Sequence, residues 1–130
     1  MMRGYDFIWR LARPLLPLML AWRARSGKED AARLTERFGR YGHRDNLPDD
    51  PLWIHAVSVG ETVAGIALAE AIRKTGETAP ILMTTNTVTA AARGAALPAS
   101  LGVTHLYQPL DHPDMVAAFL HRIRPRIGLF

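Results

Sequence analysis

The chain has 130 residues, of which 48% are hydrophobic and 22% are charged, and it contains no cysteine. This composition is typical of a folded chain of single-domain size and excludes an intrinsically disordered protein. The lack of cysteine excludes disulfide bonds and thiolate metal sites, and the formal net charge is +4 at pH 7.

Positive charge is concentrated in residues 1–28, where one aspartate, Asp6, opposes the basic side chains of Arg3, Arg10, Arg13, Arg23, Arg25 and Lys28. Apolar and aromatic residues separate these charges, and the longest apolar run is Pro14–Trp22. Because about 20 apolar residues are needed to cross a bilayer, we expect an anchor that lies in an anionic membrane surface. Trp9 and Trp22 would lie at the level of the lipid headgroups.

Three other interpretations share features with this segment. A signal peptide also begins with basic and then apolar residues, but no small-residue cleavage site follows. A helix packed on the domain itself would equally cover the apolar side chains. Positive charge alone also suits nucleic acid, but no recognition motif accompanies it, so no nucleic-acid partner is predicted. The flanking positive charges favour the cytoplasmic side of a membrane for the rest of the chain.

Residues 29–50 predict a short helix followed by a linker. Glu29–Phe38 has the composition of a short polar helix, and glycines follow it. Arg37, Arg40 and Arg44 are close in sequence. They predict either a solvated surface or, together with the N-terminal segment, a basic face for the phosphates of a lipid.

Residues 51–130 predict an α/β domain in which strands and helices alternate. The predicted strands are Leu52–Val57, Pro80–Thr85, Val103–Tyr107 and Ile127–Phe130, and the predicted helices are Glu61–Lys74, Thr87–Leu97 and a third that runs from the N-cap Asp111 to about Ile123. This alternation predicts a parallel sheet of about four strands with flanking helices.

Two of these helices carry apolar stripes that should pack on the sheet. The stripe of the first helix contains Val63, Ile66, Ala67, Leu68, Ala71 and Ile72, and that of the last contains Met115, Val116, Phe119, Leu120 and Ile123.

Polar residues follow the first predicted strand, at the edge of the sheet where open α/β folds bind ligands. Ser58 and Glu61 have the spacing of a capping box, in which the serine hydroxyl accepts an amide of the first turn and the glutamate bonds back to the cap. Alternatively, the Glu61 carboxylate faces a cleft and acts as a general base toward a hydroxyl group. The residues themselves leave both interpretations open.

The second predicted strand ends in Thr84 and Thr85, followed by Asn86 and Thr87. These side chains predict either hydrogen bonds to a sugar or phosphate, or simple helix caps. The five histidines, His43 among them, have no metal-binding spacing, and the chain contains no glycine-rich nucleotide loop or nucleophile elbow. His55, inside the first strand, predicts a buried and hydrogen-bonded imidazole.

The segment HAVSVGET, at His55–Thr62, resembles the signature of the Kdo transferases, which add 3-deoxy-D-manno-octulosonic acid (Kdo) to the lipid A precursor in lipopolysaccharide biosynthesis. ERFGRYG, ILMTTNTVTAAA and the stretch His105–Phe130 follow in the order expected for that family. The resemblance covers nearly the whole chain but about the first third of the usual family length. It implies the Rossmann-like N-terminal half of a GT-B glycosyltransferase, without the second half that holds most of the donor nucleotide.

The resemblance implies transfer of Kdo from the donor CMP-Kdo to the lipid A precursor at the cytoplasmic face of the inner membrane. The reaction would invert the anomeric carbon and use no metal and no other cofactor. A second acidic motif of the family would fall just past Phe130, and the chain alone is expected to be inactive. The implied site residues are Glu61 as general base and, for substrate binding, Ser58, Gly60, Thr84, Thr85, Arg37 and Arg40.

Two other functions remain open at this level. The chain could be a non-catalytic, membrane-attached module that binds the lipid acceptor. It could also be an unrelated α/β enzyme in which Glu61 serves a different donor.

Overall fold

The fold, in a computed structural model, is an α/β arrangement around one parallel sheet. The structure describes residues 2–42, 44 and 46–130, without the side chains of Met2 and Arg3. The basic side chain of Arg3 and the whole of His43 therefore lie outside the described residues.

The sheet contains β1 (Leu52–Ala56), β2 (Ile81–Thr85), β3 (Val103–Tyr107) and β4 (Ile127–Leu129). Their order in space is β3-β2-β1-β4, and every neighbouring pair is parallel. All five residues of β2 are buried, as expected for a central strand that is covered on both faces. The predicted α/β class and the four-stranded parallel sheet are confirmed, and each strand lies within one residue of its predicted bounds.

Two helices, α1 (Met2–Ala12) and α2 (Leu16–Arg25), lie at the N-terminus, and three connect the strands: α3 (Val59–Lys74), α4 (Val88–Ala95) and α5 (Pro113–Ile123). The α3 face of the sheet buries Ile54, Ala69, Ile81 and Met83, while the opposite face buries Trp53, Leu82, Leu106, Phe119 and Ile123. The α5 helix lies on the opposite face of the sheet from α3. After α5 the chain forms β4, which pairs with the edge of β1 that does not pair with β2. The strand order therefore reverses between β1 and β4.

The N-terminal segment consists of α1 (Met2–Ala12), a 3-10 turn (Arg13–Leu15) and α2 (Leu16–Arg25). Leu16 and Leu20 are buried, and α2 contacts the 3-10 helix Ala31–Phe38, which itself contacts β3. In the described part of the chain, every helix is too short or too polar to span a bilayer.

One side of this segment packs on the domain and the other side is open. The Trp9 ring lies edge-on to His112, with ring centroids 6.2 Å apart, so Trp9 is half-buried rather than fully available to headgroups. Large apolar side chains on the open side are 63–72% exposed: Phe7, Ile8, Leu11, Leu15, Leu18 and Trp22. The proposed division at residues 28 and 50 stays a prediction.

The predicted apolar stripe of α3 is confirmed at Ile66 and Ile72, which pack against the core on this face of the sheet, but it is wrong at Val63 and Leu68. Val63 and Leu68 are 48% and 39% exposed, whereas the buried row is Thr62, Gly65 and Ala69. A Cβ added at Gly65 would lie 3.1 Å from Ile54 Cγ2, so only small side chains allow this close approach of helix and sheet. The larger apolar residues are displaced to the flanks of the helix.

The predicted start of α5 is also wrong. His112, not Asp111, is the N-cap, because its Nδ1 accepts the Asp114 N–H at 3.2 Å. Asp111 instead accepts the Tyr5 hydroxyl at 2.6 Å, which connects α1 to this loop. Leu120, expected to face inward, is 42% exposed.

The segment predicted as a short polar helix is a 3-10 helix over Ala31–Phe38 that begins after the N-cap Asp30. Its polar side chains are not all at the surface, since Glu36 and Arg37 are buried, as is Glu29 just before it. Gly39 ends it in a left-handed conformation at φ 70°. A Cβ there would lie 2.7 Å from the Met115 carbonyl oxygen, so glycine is needed both for the turn and for the contact with α5.

Candidate functional site

A cavity of about 470 Å³ lies at the carboxyl ends of β1 and β4, where the strand order reverses. Such reversals leave a crevice because the two connections leave the sheet on opposite faces, and ligands of open α/β sheets bind there. The walls are largely apolar and come from β1, α3 and the end of β4; they include Gly65, Leu68, Leu129 and Phe130. His55 and Glu61 contribute the ionisable side chains of this wall.

The predicted turn after β1 places Glu61 at the cavity mouth. Ser58 is the N-cap of α3, and its hydroxyl accepts the Glu61 N–H at 3.2 Å. The Glu61 carboxylate reaches back past the cap, where its Oε2 accepts the Val57 N–H at 2.6 Å. The capping interpretation is therefore confirmed in a variant form, and Glu61 also lines a cavity, whereas its action as a general base stays a prediction.

One oxygen of Glu61 remains unused. Among the described residues, Oε1 has no hydrogen-bond partner, and the side chain is exposed. Gly60 is exposed as well, and a Cβ there would meet nothing nearer than the Ser58 hydroxyl at 3.9 Å. The turn thus keeps the carboxylate in place with one oxygen while the other oxygen faces an open approach.

Thr84 connects the cavity wall to the core through two hydrogen bonds. Its hydroxyl accepts the Trp53 Nε1–H at 2.9 Å and lies 2.8 Å from Nδ1 of His55. Thr84 is fully buried, so a sugar does not reach its hydroxyl directly in this structure. Burial lowers the pKa of His55, an effect opposed by hydrogen bonding to the backbone of Thr84 and by the charge of Glu61.

Thr85 is also fully buried, and it is not among the residues that line this cavity. Its hydroxyl lies 2.8 Å from Nε2 of His105 on β3. Burial, followed by the charge of Arg33, lowers the pKa of His105 to about 4. Of the predicted polar cluster, Thr87 is the N-cap of α4, where its hydroxyl accepts the Ala90 N–H at 3.1 Å. The helix-cap interpretation is therefore confirmed for Thr87, and substrate binding by Thr84 and Thr85 stays a prediction.

Arg37 was predicted to lie either on a solvated surface or on a basic face for lipid phosphates. The first of these interpretations is wrong. It is 9% exposed, and its guanidinium donates to the Gln108 carbonyl, with Asn86 Oδ1 at 3.5 Å from the same nitrogen. Its Nε lies 3.6 Å from a carboxylate oxygen of the buried Glu29. Arg37 therefore joins the 3-10 helix to the loops that follow β2 and β3, and phosphate binding by this side chain stays a prediction.

Arg40 lies elsewhere. It is exposed and lines a second cavity of about 470 Å³ between the N-terminal segment and α5, together with Arg13, Phe38 and Met115. The structure therefore brings Ser58, Gly60 and Glu61 together at the β1 edge but does not place Arg40 in the same cavity. Its assignment to phosphate binding stays a prediction.

A buried carboxylate that the sequence analysis did not single out, Glu36, connects the 3-10 helix to the carboxyl end of β3. Glu36 is fully buried, accepts two hydrogen bonds from Arg33 at 2.9 and 2.8 Å, and accepts the Tyr107 N–H at 2.8 Å. Arg44 lies 3.5 Å from the same carboxylate. Alternation of arginine and glutamate in this segment was the available signal, but it looks the same for a solvated helix.

His55 is the other site residue that sequence reasoning assigned differently. It was expected to be a buried, satisfied ring, whereas the structure leaves it half-buried on the cavity wall. The available signal was a polar residue in an otherwise apolar strand. That signal does not predict how exposed His55 is, because its exposure depends on where the neighbouring strand β4 ends. Across residues 2–42, 44 and 46–130, no three histidine or acidic side chains are grouped as metal ligands.

Sequence comparisons agree with the resemblance. Residues 32–130 match the family described as 3-deoxy-D-manno-octulosonic-acid transferase (kdotransferase). The chain is 38% identical over 126 residues to a 3-deoxy-D-manno-octulosonic acid transferase of Bordetella pertussis, covering 90% of this chain and 29% of the relative. It is 36% identical over 127 residues to a probable mitochondrial 3-deoxy-D-manno-octulosonic acid transferase of Arabidopsis thaliana, covering 92% of this chain and 28% of the relative.

A 3-deoxy-D-manno-octulosonic acid transferase of Rickettsia bellii is 35% identical over 132 residues, covering 100% of this chain and 31% of the relative. The chain therefore spans about three tenths of the length of these curated relatives. No solved structure matches the chain.

Proposed function

Because the chain belongs to the Kdo transferase family, we propose that it forms the acceptor-side domain of an enzyme that transfers Kdo from CMP-Kdo to the lipid A precursor. The observation that carries this proposal is the Glu61 carboxylate beside a cavity at the strand reversal: the Val57 amide fixes one oxygen, and the other has no partner among the residues that the structure describes. In this proposal the domain is the first half of a GT-B enzyme, and a second half binds most of the donor.

The proposed chemistry requires a base next to the attacking alcohol. Glu61 takes the proton from a hydroxyl of the acceptor sugar, and the freed oxygen forms a bond to the anomeric carbon of Kdo from the face opposite the nucleotide. The bond from that carbon to the CMP phosphate breaks, and the electron pair leaves with the phosphate. Attack from the opposite face inverts the anomeric carbon. Neither a metal nor another cofactor takes part in this proposal.

A hydrogen bond from Val57 and the start of α3 both favour the ionised form of Glu61. That form is the one able to accept a proton, but the same contacts weaken its pull on the proton. The apolar wall formed by Leu68, Leu129 and Phe130 opposes this effect when a substrate displaces water from the cavity. Gly60 leaves room for the sugar over the turn.

The N-terminal segment would attach this domain to the cytoplasmic face of the inner membrane. Support comes from the apolar side chains on its open side and from exposed arginines beside them. Arg10 and Arg25 have no ion-pair partner within the described residues, whereas Arg13 pairs with Asp114 and Arg23 with Glu29. The two unpaired arginines are therefore available to lipid phosphates.

Transfer is tested in two steps. The purified chain is first incubated with CMP-Kdo and lipid A precursor, and we expect no multiple turnovers because most of the donor site would be missing. Residues 1–130 of this chain then replace the matching segment of the full-length Bordetella pertussis relative, and Kdo transfer by this chimaera is measured. Glu61→Gln should lower its turnover by about 10²- to 10⁴-fold.

The matched control is Glu70→Gln, at an exposed glutamate later in the same helix, which should leave turnover unchanged. A chimaera that keeps full activity with Glu61→Gln removes the proposed base. Circular dichroism of both variants separates loss of chemistry from loss of folding.

A second function, favoured by the exposed apolar face, is a membrane-attached module that binds the acceptor without catalysis. It predicts lipid binding that survives Glu61→Gln. Replacing Arg10 and Arg25 by glutamine should weaken binding to anionic vesicles by about 10- to 30-fold, since each basic residue near such a surface contributes about 1 kcal/mol. Arg93→Gln, at an exposed site on α4, is the control, and equal weakening by this variant would contradict a role of the N-terminal segment.

A further inference from the structure

His55 and Glu61 face one cavity but have different hydrogen-bonding capacities. The Glu61 carboxylate can only accept when ionised, whereas a neutral imidazole has one donor nitrogen and one acceptor nitrogen. Which nitrogen of His55 carries the proton therefore decides what this wall offers to a ligand. The neighbours of the ring determine that choice.

Thr84 supplies the argument for the tautomer. Its hydroxyl already accepts the Trp53 Nε1–H at 2.9 Å, and an indole nitrogen can only donate. The hydroxyl has one proton to give and is fully buried, away from water. His55 Nδ1, at 2.8 Å, is in position to accept that proton. Acceptance at Nδ1 leaves the ring proton on Nε2.

The other nitrogen is not fully enclosed, and its residue lines the cavity. Within the described residues, Nε2 of His55 has no hydrogen-bond partner, yet it is not one of the buried orphan atoms, unlike Nδ1 of His105 or Nε2 of His112. The ring also stands edge-on to Phe130, with centroids 5.9 Å apart, so its orientation is held on two sides. The free donor is therefore fixed in direction, on a residue that lines the cavity.

We propose that His55 Nε2–H is the hydrogen-bond donor of this cavity and holds an oxygen of the acceptor sugar next to the hydroxyl that Glu61 deprotonates. A sugar presents neighbouring oxygens that can each accept or donate, so a donor and an acceptor on one wall orient it in a single way. Trp53 and Thr84 act as positioning residues, because they fix the ring and its tautomer. This inference deepens the proposed function and rests on it.

The tautomer is tested on this chain without any transfer reaction. Long-range ¹H–¹⁵N spectra of the ¹⁵N-labelled protein at pH 7 should show His55 as the Nε2–H tautomer, with Nδ1 unprotonated. Thr84→Ser keeps the hydroxyl and should keep this pattern, whereas Thr84→Val should give a mixture of tautomers. A wild-type ring protonated on Nδ1, or on both nitrogens, overturns the inference.

Substrate contact is tested by binding the lipid A precursor, in detergent micelles, to the same chain. His55→Asn retains a polar group near the Nδ1 position and loses the donor at Nε2, so it should weaken binding by about 3- to 10-fold. His55→Gln places an amide N–H close to the Nε2 position and should bind within about twofold of wild type. His121→Asn, at an exposed ring on α5, should bind as wild type.

The outcomes separate the two proposals. If the wild-type chain does not bind the acceptor, the proposed function and the role of His55 both fail. If wild type binds and His55→Asn binds equally well, only the role of His55 fails. Equal weakening by His55→Asn and His55→Gln also overturns the donor role, because it assigns the effect to packing of the ring.

Discussion

The two halves of the strand-end edge carry similar polar residues but use them differently. At β2 and β3, Thr85 pairs with His105, and buried Arg37 and Glu36 tie the 3-10 helix to the loops. At β1, one oxygen of Glu61 and one nitrogen of His55 remain without a partner among the described residues. Polar residues at a strand end therefore indicate a site only where the fold leaves part of their hydrogen-bonding capacity unused.

The largest expected effect lies in the closed half. Glu36→Gln removes the charge between Arg33 and Arg44 and should lower the free energy of unfolding by about 3–5 kcal/mol, because it leaves partly buried guanidinium groups uncompensated. Urea denaturation measures the loss. Asp49→Asn, at the exposed pair with Arg122, should cost under about 1 kcal/mol. Equal effects of the two variants would contradict a closed, buried half.

The glycine that ends the 3-10 helix should be nearly as sensitive. Gly39→Ala forces a side chain into a left-handed conformation and against the Met115 carbonyl, with an expected loss of about 2–4 kcal/mol. Gly76→Ala is a matched control with φ 86° and open space around it, so it bears the conformational cost alone, about 1–2 kcal/mol. Thermal unfolding compares them, and a smaller loss at Gly39 would argue against the tight contact with α5.

The closed half should also make stability depend on pH. The pKa of His105 falls from 6.5 to about 4 on folding, so the unfolded chain binds more protons between these values. Stability is then full above pH 6.5 and is lost as pH falls, by about 1.4 kcal/mol per pH unit and about 2 kcal/mol between pH 7 and pH 5.

Urea unfolding of wild type and His105→Asn at both pH values checks this expectation. The difference between their pH dependences isolates this ring from other titrating groups, including His55, whose pKa is also lowered by burial. His121→Asn should keep the wild-type dependence. An unchanged dependence in His105→Asn would mean that the buried ring does not differ between the folded and unfolded chain.

The smallest effect on stability is expected in the open half. Gly60→Ala meets no packed neighbour, and Gly60 is not among the described residues with positive φ, so the variant should change stability by under about 1 kcal/mol, toward stabilisation of α3. Binding of the lipid A precursor should nevertheless weaken, because the new methyl group lies over the turn beside Glu61. Unchanged binding would contradict the role of Gly60 in admitting the sugar.

The spacing of apolar residues, together with the residues that end helices and strands, was sufficient to predict the secondary-structure elements of residues 51–130. Strand ends came within one residue because each strand is a short run rich in apolar residues, and a tight turn that begins at Ser58 ends the first of them. Helix faces were predicted less well: Leu68 and Leu120 belong to apolar stripes but are partly exposed. A stripe defines a direction around the helix axis, whereas burial depends on how closely the helix approaches the sheet.

By itself the sequence determined the α/β class, the position of Glu61 directly after the first strand, and membership of the family, because these depend on local order along the chain. Only the tertiary structure decided that the strand order reverses between β1 and β4, that Thr84 lies opposite His55, and that Arg37 and Glu36 are buried. Those outcomes depend on contacts between residues far apart in sequence, and no local pattern specifies them.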